Sequence, residues 1–278
     1  MQAPPTKRKA NNDFFKPSPK RSTTHPKLDT SKNDDNSTQP NHISIPESTS
    51  VSGLTLHRDF VSSAEEQEIL HFLNDPSRCS WRTDLSRRTM HFGGVYCLMP
   101  SKTQSGDQIS KPPVLQAPPM PVGLGWLIQR MVDARVFPSN KRPQYCIVNE
   151  YIGAQGISAH TENFQFGEPV VGLSLLSACP IRFIELTRPF DGSVRSGKAG
   201  KADKTGKKVD VQLPGRSLMV MNGNSRWKWQ HEILRSKRGR RDGWKRVSLT
   251  FRYKDEENEM TRKIQSPRKT IVRQQLKA

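Results

Sequence analysis

The amino-acid sequence predicts a mostly β domain with flanking helices (α+β), whose core is a double-stranded β-helix, or jelly roll. The main observation is a series of short runs rich in β-branched and aromatic residues, which begins at Tyr145. Gly, Pro or Asn residues separate these runs, as turns separate antiparallel strands. There are about eight runs, which is the strand number of a jelly roll built from two sheets. Two amphipathic patterns upstream predict helices that pack on a sheet.

Both predicted helices have recognisable ends. A capping box, formed by a serine at position 62 or 63 and a glutamate at 65 or 66, opens the first helix, and Asp75-Pro76 ends it. Pro121 opens the second helix, which ends before Pro138. Residues 81–99 between them are predicted as extended chain, and residues 100–120, which hold several prolines, as a loop.

The predicted strands are interrupted by two basic segments. A Gly/Lys-rich insert at residues 188–208 is expected to be flexible, and residues 235–245 form a second basic loop. Each segment has a simple interpretation as a solubilising loop, but the second lies close to candidate site residues, which favours contact with phosphate groups. The eight predicted strands are the runs at residues 145–152, 170–176, 181–186, 209–213, 217–221, 227–233 and 246–253, together with a short stretch that carries His160.

The composition predicts one folded domain between two tails. Hydrophobic residues make up 33% of the 278 residues and the mean hydropathy is −0.75, which is low for a chain that folds throughout. We expect a disordered basic tail at residues 1–53, a folded domain at 54–254 with its jelly-roll core at about 145–254, and a charged tail at 255–278. The protein is expected to be a monomer.

Cysteine usage and hydropathy indicate the compartment. The four cysteines form no C-x-x-C pair, and Cys97, Cys146 and Cys179 have apolar neighbours, so buried free thiols are expected. No signal peptide and no apolar run of membrane-spanning length is recognisable, so no membrane association is expected. A soluble protein of a reducing compartment fits these features.

The net charge of +19 and the pI near 10.1 predict a polyanionic partner, with nucleic acid the leading candidate. Solvated basic surfaces and nuclear import signals also raise the charge. Lys7-Arg8-Lys9 and Lys20-Arg21 have the spacing of a bipartite import signal, which favours the nucleus over a merely solvated tail. Phe14-Phe15 between them is a candidate docking anchor for a partner protein.

Three residues are candidate metal ligands. His160 and Glu162 stand two apart, so on a strand both would point to the same face. His231 could complete a facial triad of two imidazoles and one carboxylate on Fe(II), which leaves positions open for oxygen and a co-substrate. A single H-x-E is also common on surface loops, so the remaining motifs decide between these interpretations.

Those motifs occur in a characteristic order. Asn149-x-Tyr151 precedes the H-x-E, a glycine-led strand at residues 215–221 follows it, and Trp229-x-His231 comes before Arg246 and Arg252. This set resembles the AlkB-type Fe(II)/2-oxoglutarate dioxygenases, and the resemblance covers residues 54–254. The sequence departs from the family pattern at Glu162, where Asp is usual, and at Ser248, two residues after the first arginine.

The resemblance implies a set of cofactors and residue roles. His160, Glu162 and His231 would hold Fe(II), with 2-oxoglutarate as co-substrate and O₂ as oxidant. Arg246 would pair with the far carboxylate of 2-oxoglutarate beside Tyr151, while Asn149 and Arg252 would secure the end near the metal. A planar guanidinium suits such carboxylates, and the two arginines, six apart, would share a strand face.

The resemblance also implies a nucleotide-recognition lid over the jelly roll. Its candidate residues would mix phosphate contacts with faces for base stacking. The alternative for this segment is a β-hairpin with ordinary core aromatics. The candidate substrate-binding residues are Arg88, His91, Phe92 and Tyr96.

The reaction implied by the resemblance is oxidative removal of N-methyl groups from bases in DNA or RNA, with release of succinate and formaldehyde. DNA repair of 1-methyladenine or 3-methylcytosine is the leading prediction, and an RNA demethylase is a close variant. Two other classes stay open: a nucleic-acid-binding module with a degenerate iron site, and an oxygenase acting on protein or a small molecule.

Overall fold

The structure, a computed structural model, describes residues 46–97, 114–163, 166–189, 203–236 and 240–254. The basic clusters at residues 7–9 and 20–21, the Phe14-Phe15 pair and the tail at 255–278 lie outside these ranges. The folded domain includes the strand at Glu47–Ser48 and the fully buried Val51, so it begins before Leu54, the predicted boundary.

The described residues form three α-helices and thirteen strands. The helices are α1 (Ser63–Asn74), α2 (Gly125–Asp133) and α3 (Gly223–Trp227), with a 3-10 turn at Val122–Leu124 before α2. The strands are β1 (Glu47–Ser48), β2 (Leu54–His57), β3 (Arg88–Phe92), β4 (Val95–Cys97), β5 (Val114–Gln116), β6 (Tyr145–Ile152), β7 (Ile157–His160), β8 (Val170–Leu176), β9 (Cys179–Leu186), β10 (Lys204–Leu213), β11 (Ser217–Met221), β12 (Trp229–Ile233) and β13 (Lys245–Arg252).

Two antiparallel sheets form the body of the domain. The large sheet has the order β1-β2-β11-β8-β13-β6-β3, and the small sheet has the order β10-β9-β12-β7. The eight strands from β6 to β13 therefore divide equally between the sheets, as in a jelly roll. Apolar side chains of both sheets share one core cluster, so the sheets pack face to face. The predicted fold class is confirmed.

The outer face of the large sheet packs against the helices. Leu173, Leu218 and Leu249 are fully buried there, together with Ile69 of α1 and Leu127 of α2. Ser62 caps α1: its Oγ accepts from the Glu65 backbone N–H, and the Glu65 carboxylate accepts from the Ser62 N–H, as the capping box predicts. None of the helices in the described ranges is long and apolar enough to cross a bilayer.

The face of the large sheet that looks toward the small sheet is partly polar. On β13 the residues alternate, with Val247, Leu249 and Phe251 in the outer core and the arginines and serine between them on the inner side. Arg246, Ser248 and Arg252 are nonetheless buried. Because buried polar groups require partners, this side of the sheet is where a polar ligand fits.

Some elements differ from the predicted ones. β10 begins at Lys204, inside the insert predicted to be flexible, because it pairs with β9 back to Leu186. Residues 223–227 form the short helix α3, whereas a strand was predicted from residue 227. Cys79, Cys146 and Cys179 are buried free thiols, as expected, and burial raises the pKa of each.

Candidate active site

The three candidate metal ligands come from neighbouring strands of the small sheet. His231 lies in the middle of β12, where its backbone pairs with that of His160, the last residue of β7. Of the H-x-E, His160 lies on the strand, and Glu162 lies two residues beyond the end of β7. The segment after β7 still directs Glu162 inward, because its carboxylate contacts Arg252 of β13.

The ligand atoms of these residues converge. One ligand atom from each of His160, Glu162 and His231 lies within 4.8 Å of the other two. His231 Nε2 is 3.5 Å from Glu162 Oε1, and the two imidazole rings have centroids 4.3 Å apart. Neighbouring ligands of an ion with bonds of about 2.1 Å stand roughly 3 Å apart, so small movements would allow a shared ion. The donor set of two imidazoles and one carboxylate fits Fe(II).

The protonation state of the His160 imidazole suits a metal ligand. His160 Nδ1–H donates to the Ser158 carbonyl over 2.8 Å, which leaves the lone pair of Nε2 free. Desolvation, with a contribution from His231, lowers the pKa of His160 to about 4. The ring is therefore neutral near pH 7, as a metal-binding imidazole must be.

Glu162 is ionised despite its burial. Desolvation opposes ionisation, but Arg252 and His231 outweigh it and hold the pKa of this carboxyl well below its usual range. Arg252 Nε and Nη2 each lie 2.6 Å from Glu162 Oε2. This contact fixes one carboxylate oxygen and leaves Oε1 toward His231 and the candidate metal position.

Arg246 is a buried cation that has no anionic partner among the described residues. Its Nη2 donates to the Ser174 hydroxyl over 2.8 Å, and its guanidinium carbon lies 5.6 Å from the centroid of the Tyr151 ring. No carboxylate of the described residues lies within 4.0 Å, and its Nε has no hydrogen-bond partner among them. Burying an uncompensated charge is costly, so this site calls for an anion. A carboxylate of 2-oxoglutarate fits it.

Asn149 and Tyr151 lie beside Arg246 on β6. The Cα of Tyr151 pairs with that of Arg246, and Asn149 pairs with Ser248. Arg87 Nε donates to Asn149 Oδ1 over 2.8 Å, so the amide N–H groups of Asn149 remain available as donors. Burial raises the pKa of Tyr151, which keeps its hydroxyl protonated. The four predicted co-substrate residues thus lie on the inner face of two adjacent strands.

The predicted substrate residues divide between the two faces of β3. Arg88 donates to both oxygens of the buried Glu150, over 2.7 and 2.8 Å, and Phe92 is 2% exposed in the outer core. Alternation turns both side chains to the outer face of the sheet, where Arg88 pairs with Glu150 and Phe92 packs in the core, so their binding of substrate stays a prediction. His91 lies on the inner side and stays a candidate. The side chain of Tyr96, in β4, lies outside the described residues.

Arg226 was not predicted from the sequence, although it supports the metal site. It is 1% exposed, and its guanidinium donates to the carbonyls of Glu162, Asn163 and Phe166 over 3.2, 2.7 and 3.1 Å. Desolvation lowers its pKa to about 10, so it remains charged. Its only sequence signal is Asn222, whose capping box opens α3; that box could have placed Arg226 on a helix but could not identify its contacts.

Arg240, in the predicted phosphate-binding loop, is already engaged by main-chain groups. Its Nη1 donates to the carbonyls of Gly153 and Gln155 over 2.7 and 2.8 Å, and its Nη2 to that of Leu234 over 2.8 Å. The guanidinium carbon also lies 4.0 Å from the centroid of the Trp244 ring. Arg240 ties the β6–β7 loop to the β12–β13 loop, which was not expected.

A jelly roll with a His-Glu-His cluster next to a buried site for a carboxylate defines an iron- and 2-oxoacid-dependent oxygenase. The family profile of the 2OG-Fe(II) oxygenase superfamily matches residues 53–252, and the chain belongs to this family. Its members use Fe(II), 2-oxoglutarate and O₂, which agrees with the residues found in the site.

Curated relatives share about a quarter of their residues with the chain. The RNA demethylase ALKBH9B of Arabidopsis thaliana is 28% identical over 74% of this chain and 40% of its own length. The alkylated DNA repair protein ALKBH8 homolog of the same plant is 26% identical over 75% of this chain and 60% of its own length. The chain therefore spans about half the length of these relatives. The solved structure of OsALKBH1 superposes with a TM-score of 0.49, at 16% identity, over 72% of this chain and 97% of that one.

Proposed function

We propose that the protein is an Fe(II)/2-oxoglutarate-dependent dioxygenase that removes N-linked methyl groups from bases of nucleic acid. The observation that carries the proposal is the presence, in one polar interior, of a three-ligand cluster and a buried arginine that has no anionic partner in the described part of the chain. The net charge of +19 supports a nucleic-acid substrate, as do relatives whose names describe RNA demethylation and repair of alkylated DNA.

Each residue of the site has a role in this proposal. His160, Glu162 and His231 would hold Fe(II), which, when bound with 2-oxoglutarate and O₂, supplies the oxidation of a substrate C–H bond coupled to decarboxylation. Arg246 would bind the far carboxylate of 2-oxoglutarate, with the Tyr151 hydroxyl as a neighbouring donor.

Two further residues would act at the metal end of the co-substrate. Arg252 orients Glu162 by holding one of its oxygens, and the Asn149 amide, fixed by Arg87, directs its N–H groups into the site.

The proposed reaction balances without any further reactant. One oxygen atom of O₂ enters succinate as 2-oxoglutarate loses CO₂, and the other is inserted into a C–H bond of the N-methyl group. The resulting N-hydroxymethyl group breaks at its C–N bond, which releases formaldehyde and leaves the unmodified base with its proton. We also propose that the protein resides in the nucleus, because its N-terminal tail carries two basic clusters with the spacing of an import signal. Repair of alkylated DNA is the leading proposed function.

A product assay tests the proposal. The full chain is incubated with Fe(II), 2-oxoglutarate and single strands that carry 1-methyladenine or 3-methylcytosine, in matched DNA and RNA forms. Succinate and formaldehyde are expected in equal amounts, with the unmodified base detected by mass spectrometry. His231→Ala should abolish turnover, whereas His71→Ala, on the distant helix α1, should preserve it.

The other outcomes point to the other classes. Succinate without base repair would contradict the proposed substrate and favour a protein or small-molecule oxygenase. Nucleic-acid binding without any turnover would contradict the enzyme and favour a binding module. A preference between the DNA and RNA forms decides which nucleic acid is the substrate.

A further inference from the structure

Three lysines of β10, Lys204, Lys207 and Lys208, form an exposed basic segment on the edge strand of the small sheet. We call them the β10 lysines. Further along this strand, Val211 and Leu213 are buried in the core that the two sheets share, so odd-numbered residues point inward. The register of β10 against β9 shifts between Lys204 and Lys208, so this alternation does not extend to the three lysines, and the position of Lys207 follows from its contact with Trp229.

Lys207 contacts the strand that carries the candidate metal ligand His231. Its Nζ is 5.5 Å from the centroid of the Trp229 ring, and Trp229 is buried on the inner face of β12. His231 follows Trp229 by two residues on the same face, a spacing of about 7 Å along a strand. The Lys207 ammonium therefore stands beyond Trp229, at the end of the small sheet where β12 begins.

The β10 lysines differ in pairing from two other cations in or next to the small sheet. Arg182 is 2.7 Å from Asp210, and Lys228 is 3.7 Å from Glu185. Among the described residues, no carboxylate lies within 4.0 Å of Lys204, Lys207 or Lys208, although the exposed Asp203 precedes them in the chain. Three exposed ammonium groups are therefore free to meet an anion.

At the opposite end of the jelly roll, one of the cations predicted to meet phosphate groups is already engaged. The loop after Ile233 leads to Arg246, the candidate co-substrate residue, and its Arg240 is engaged by three carbonyls. The β10 lysines instead lie at the end that carries Arg252 and Glu162, where β3 also leads into the β4–β5 hairpin.

We propose that the β10 lysines, with Lys207 beside Trp229, bind backbone phosphates of the nucleic-acid strand whose modified base enters the candidate metal site. The proposal rests on the proposed function for the identity of the strand. Ammonium groups contact phosphates without reading sequence, so this surface would position the strand and would not select a base. The alternative is that the lysines only protect an edge strand from pairing with other chains.

Salt-dependent binding tests the proposal. The probe is an unmodified, fluorescently labelled single-stranded 15-mer, titrated with the full chain at several NaCl concentrations. Each lost phosphate contact lowers the slope of log K against log salt by about 0.7, so Gln at all three positions should lower it by roughly 2. Affinity at 0.1 M salt should fall by roughly tenfold or more. Lys207→Gln alone should account for about 0.7 of the change in slope.

Two matched variants distinguish phosphate contact by the β10 lysines from a general effect of the protein's positive charge. Arg at all three positions keeps the charge and should keep the slope. Gln at Arg58, Arg78 and Arg216 removes three exposed cations elsewhere and should leave the slope unchanged. An unchanged slope in the triple lysine-to-glutamine variant, with its melting temperature retained, would overturn the proposal, as would an equal drop in the control.

The proposed demethylase activity and the proposed phosphate-binding surface can be tested independently of each other. If the wild-type chain binds the 15-mer with the lysine-dependent slope but releases no formaldehyde from methylated strands, the phosphate surface stands and the demethylase does not. If methylated strands are repaired and the triple variant keeps its slope and its Michaelis constant for them, the demethylase stands and the surface does not.

Discussion

At the scale of single residues, three buried arginines around the candidate site differ in what neutralises them. Arg252 contacts the Glu162 carboxylate, and Arg226 donates to three main-chain carbonyls. Arg246 donates to a serine hydroxyl but meets no carboxylate within the ranges that the structure describes. A guanidinium that is already satisfied within the protein has a structural or orienting task. One that lacks an anion is available for a ligand, and for that reason we assign Arg246 to the co-substrate.

A substitution at Arg226 tests whether this residue orients the segment that carries the candidate metal ligand Glu162. Arg226→Lys keeps a positive charge but lacks the planar fork that reaches the carbonyls of Glu162, Asn163 and Phe166. We expect Mn(II) affinity, measured by isothermal titration of the apoprotein, to fall by roughly tenfold or more, because the segment carrying Glu162 is no longer held. Loss of buried hydrogen bonds should also lower stability by about 2 kcal/mol.

A matched control separates orientation from general destabilisation. Leu218→Ala creates a cavity in the outer core, far from the ligands, and should cost about 2–5 kcal/mol. If Arg226 positions the metal site, Leu218→Ala lowers the melting temperature but keeps the Mn(II) affinity. Equal Mn(II) affinity in both variants, at a temperature where both are folded, would reduce Arg226 to a structural residue.

At the scale of elements, Arg240 connects two loops that flank the co-substrate end. It bonds Gly153 and Gln155 of the β6–β7 loop and Leu234 of the β12–β13 loop. Gln155 in turn contacts the Ser86 carbonyl and accepts from the Ile152 N–H. The loops therefore form one hydrogen-bonded frame around the ends of β6, β12 and β13.

Removal of this frame has a measurable consequence. In Arg240→Gln, amide hydrogen exchange should become roughly tenfold faster or more in residues 153–156 and 234–236, because three carbonyls lose their donor. The salt slope for a single strand should change by less than the loss of one phosphate contact. Arg241→Gln, at an exposed neighbouring position, should leave the exchange unchanged. Unaltered exchange in Arg240→Gln would contradict the connecting role.

The strands with apolar or β-branched alternation were predictable, and those without it were not. β6, β8 and β11 have the predicted bounds because their residues alternate or are apolar throughout. The first half of β10 is a Lys/Gly run with no such signal, and only its pairing with β9 makes it a strand. The strand predicted to start at residue 227 instead starts at Trp229, because the capping box at Asn222 opens a short helix that includes Trp227.

Site residues could be predicted where an ordered motif identifies them. They could not be predicted where their role depends on which face of a strand the side chain occupies. The metal and co-substrate residues come together as the ordered motifs imply. On β3, Arg88 and Phe92 have even numbers and His91 an odd one, so a period of two cannot place all three over one substrate. Long-range partners such as Arg226 and Glu162 leave no local pattern.

At the scale of the whole molecule, the interior between the sheets carries an excess of positive charge. Arg226, Arg246 and Arg252 are buried around the site, and among the described residues the carboxylates of Glu162 and Glu168 offset part of this charge. Buried charge of one sign is costly, and the folded protein tolerates it better when ligands compensate. A dianion such as 2-oxoglutarate therefore has a stabilising as well as a chemical role in the proposed function.

Ligand binding should consequently stabilise the fold. At concentrations of about 100 times the dissociation constant, a ligand that binds only the folded state adds about 2.7 kcal/mol, or a rise in melting temperature of roughly 5–10 °C for a domain of this size. We expect Mn(II) alone to give part of this rise and Mn(II) with 2-oxoglutarate the larger part, measured by differential scanning calorimetry. Arg246→Lys should keep the Mn(II) contribution and lose most of the 2-oxoglutarate contribution, since an ammonium cannot hold a carboxylate in a two-pronged contact. A 2-oxoglutarate contribution equal to that of the wild type in this variant would remove Arg246 from the co-substrate site.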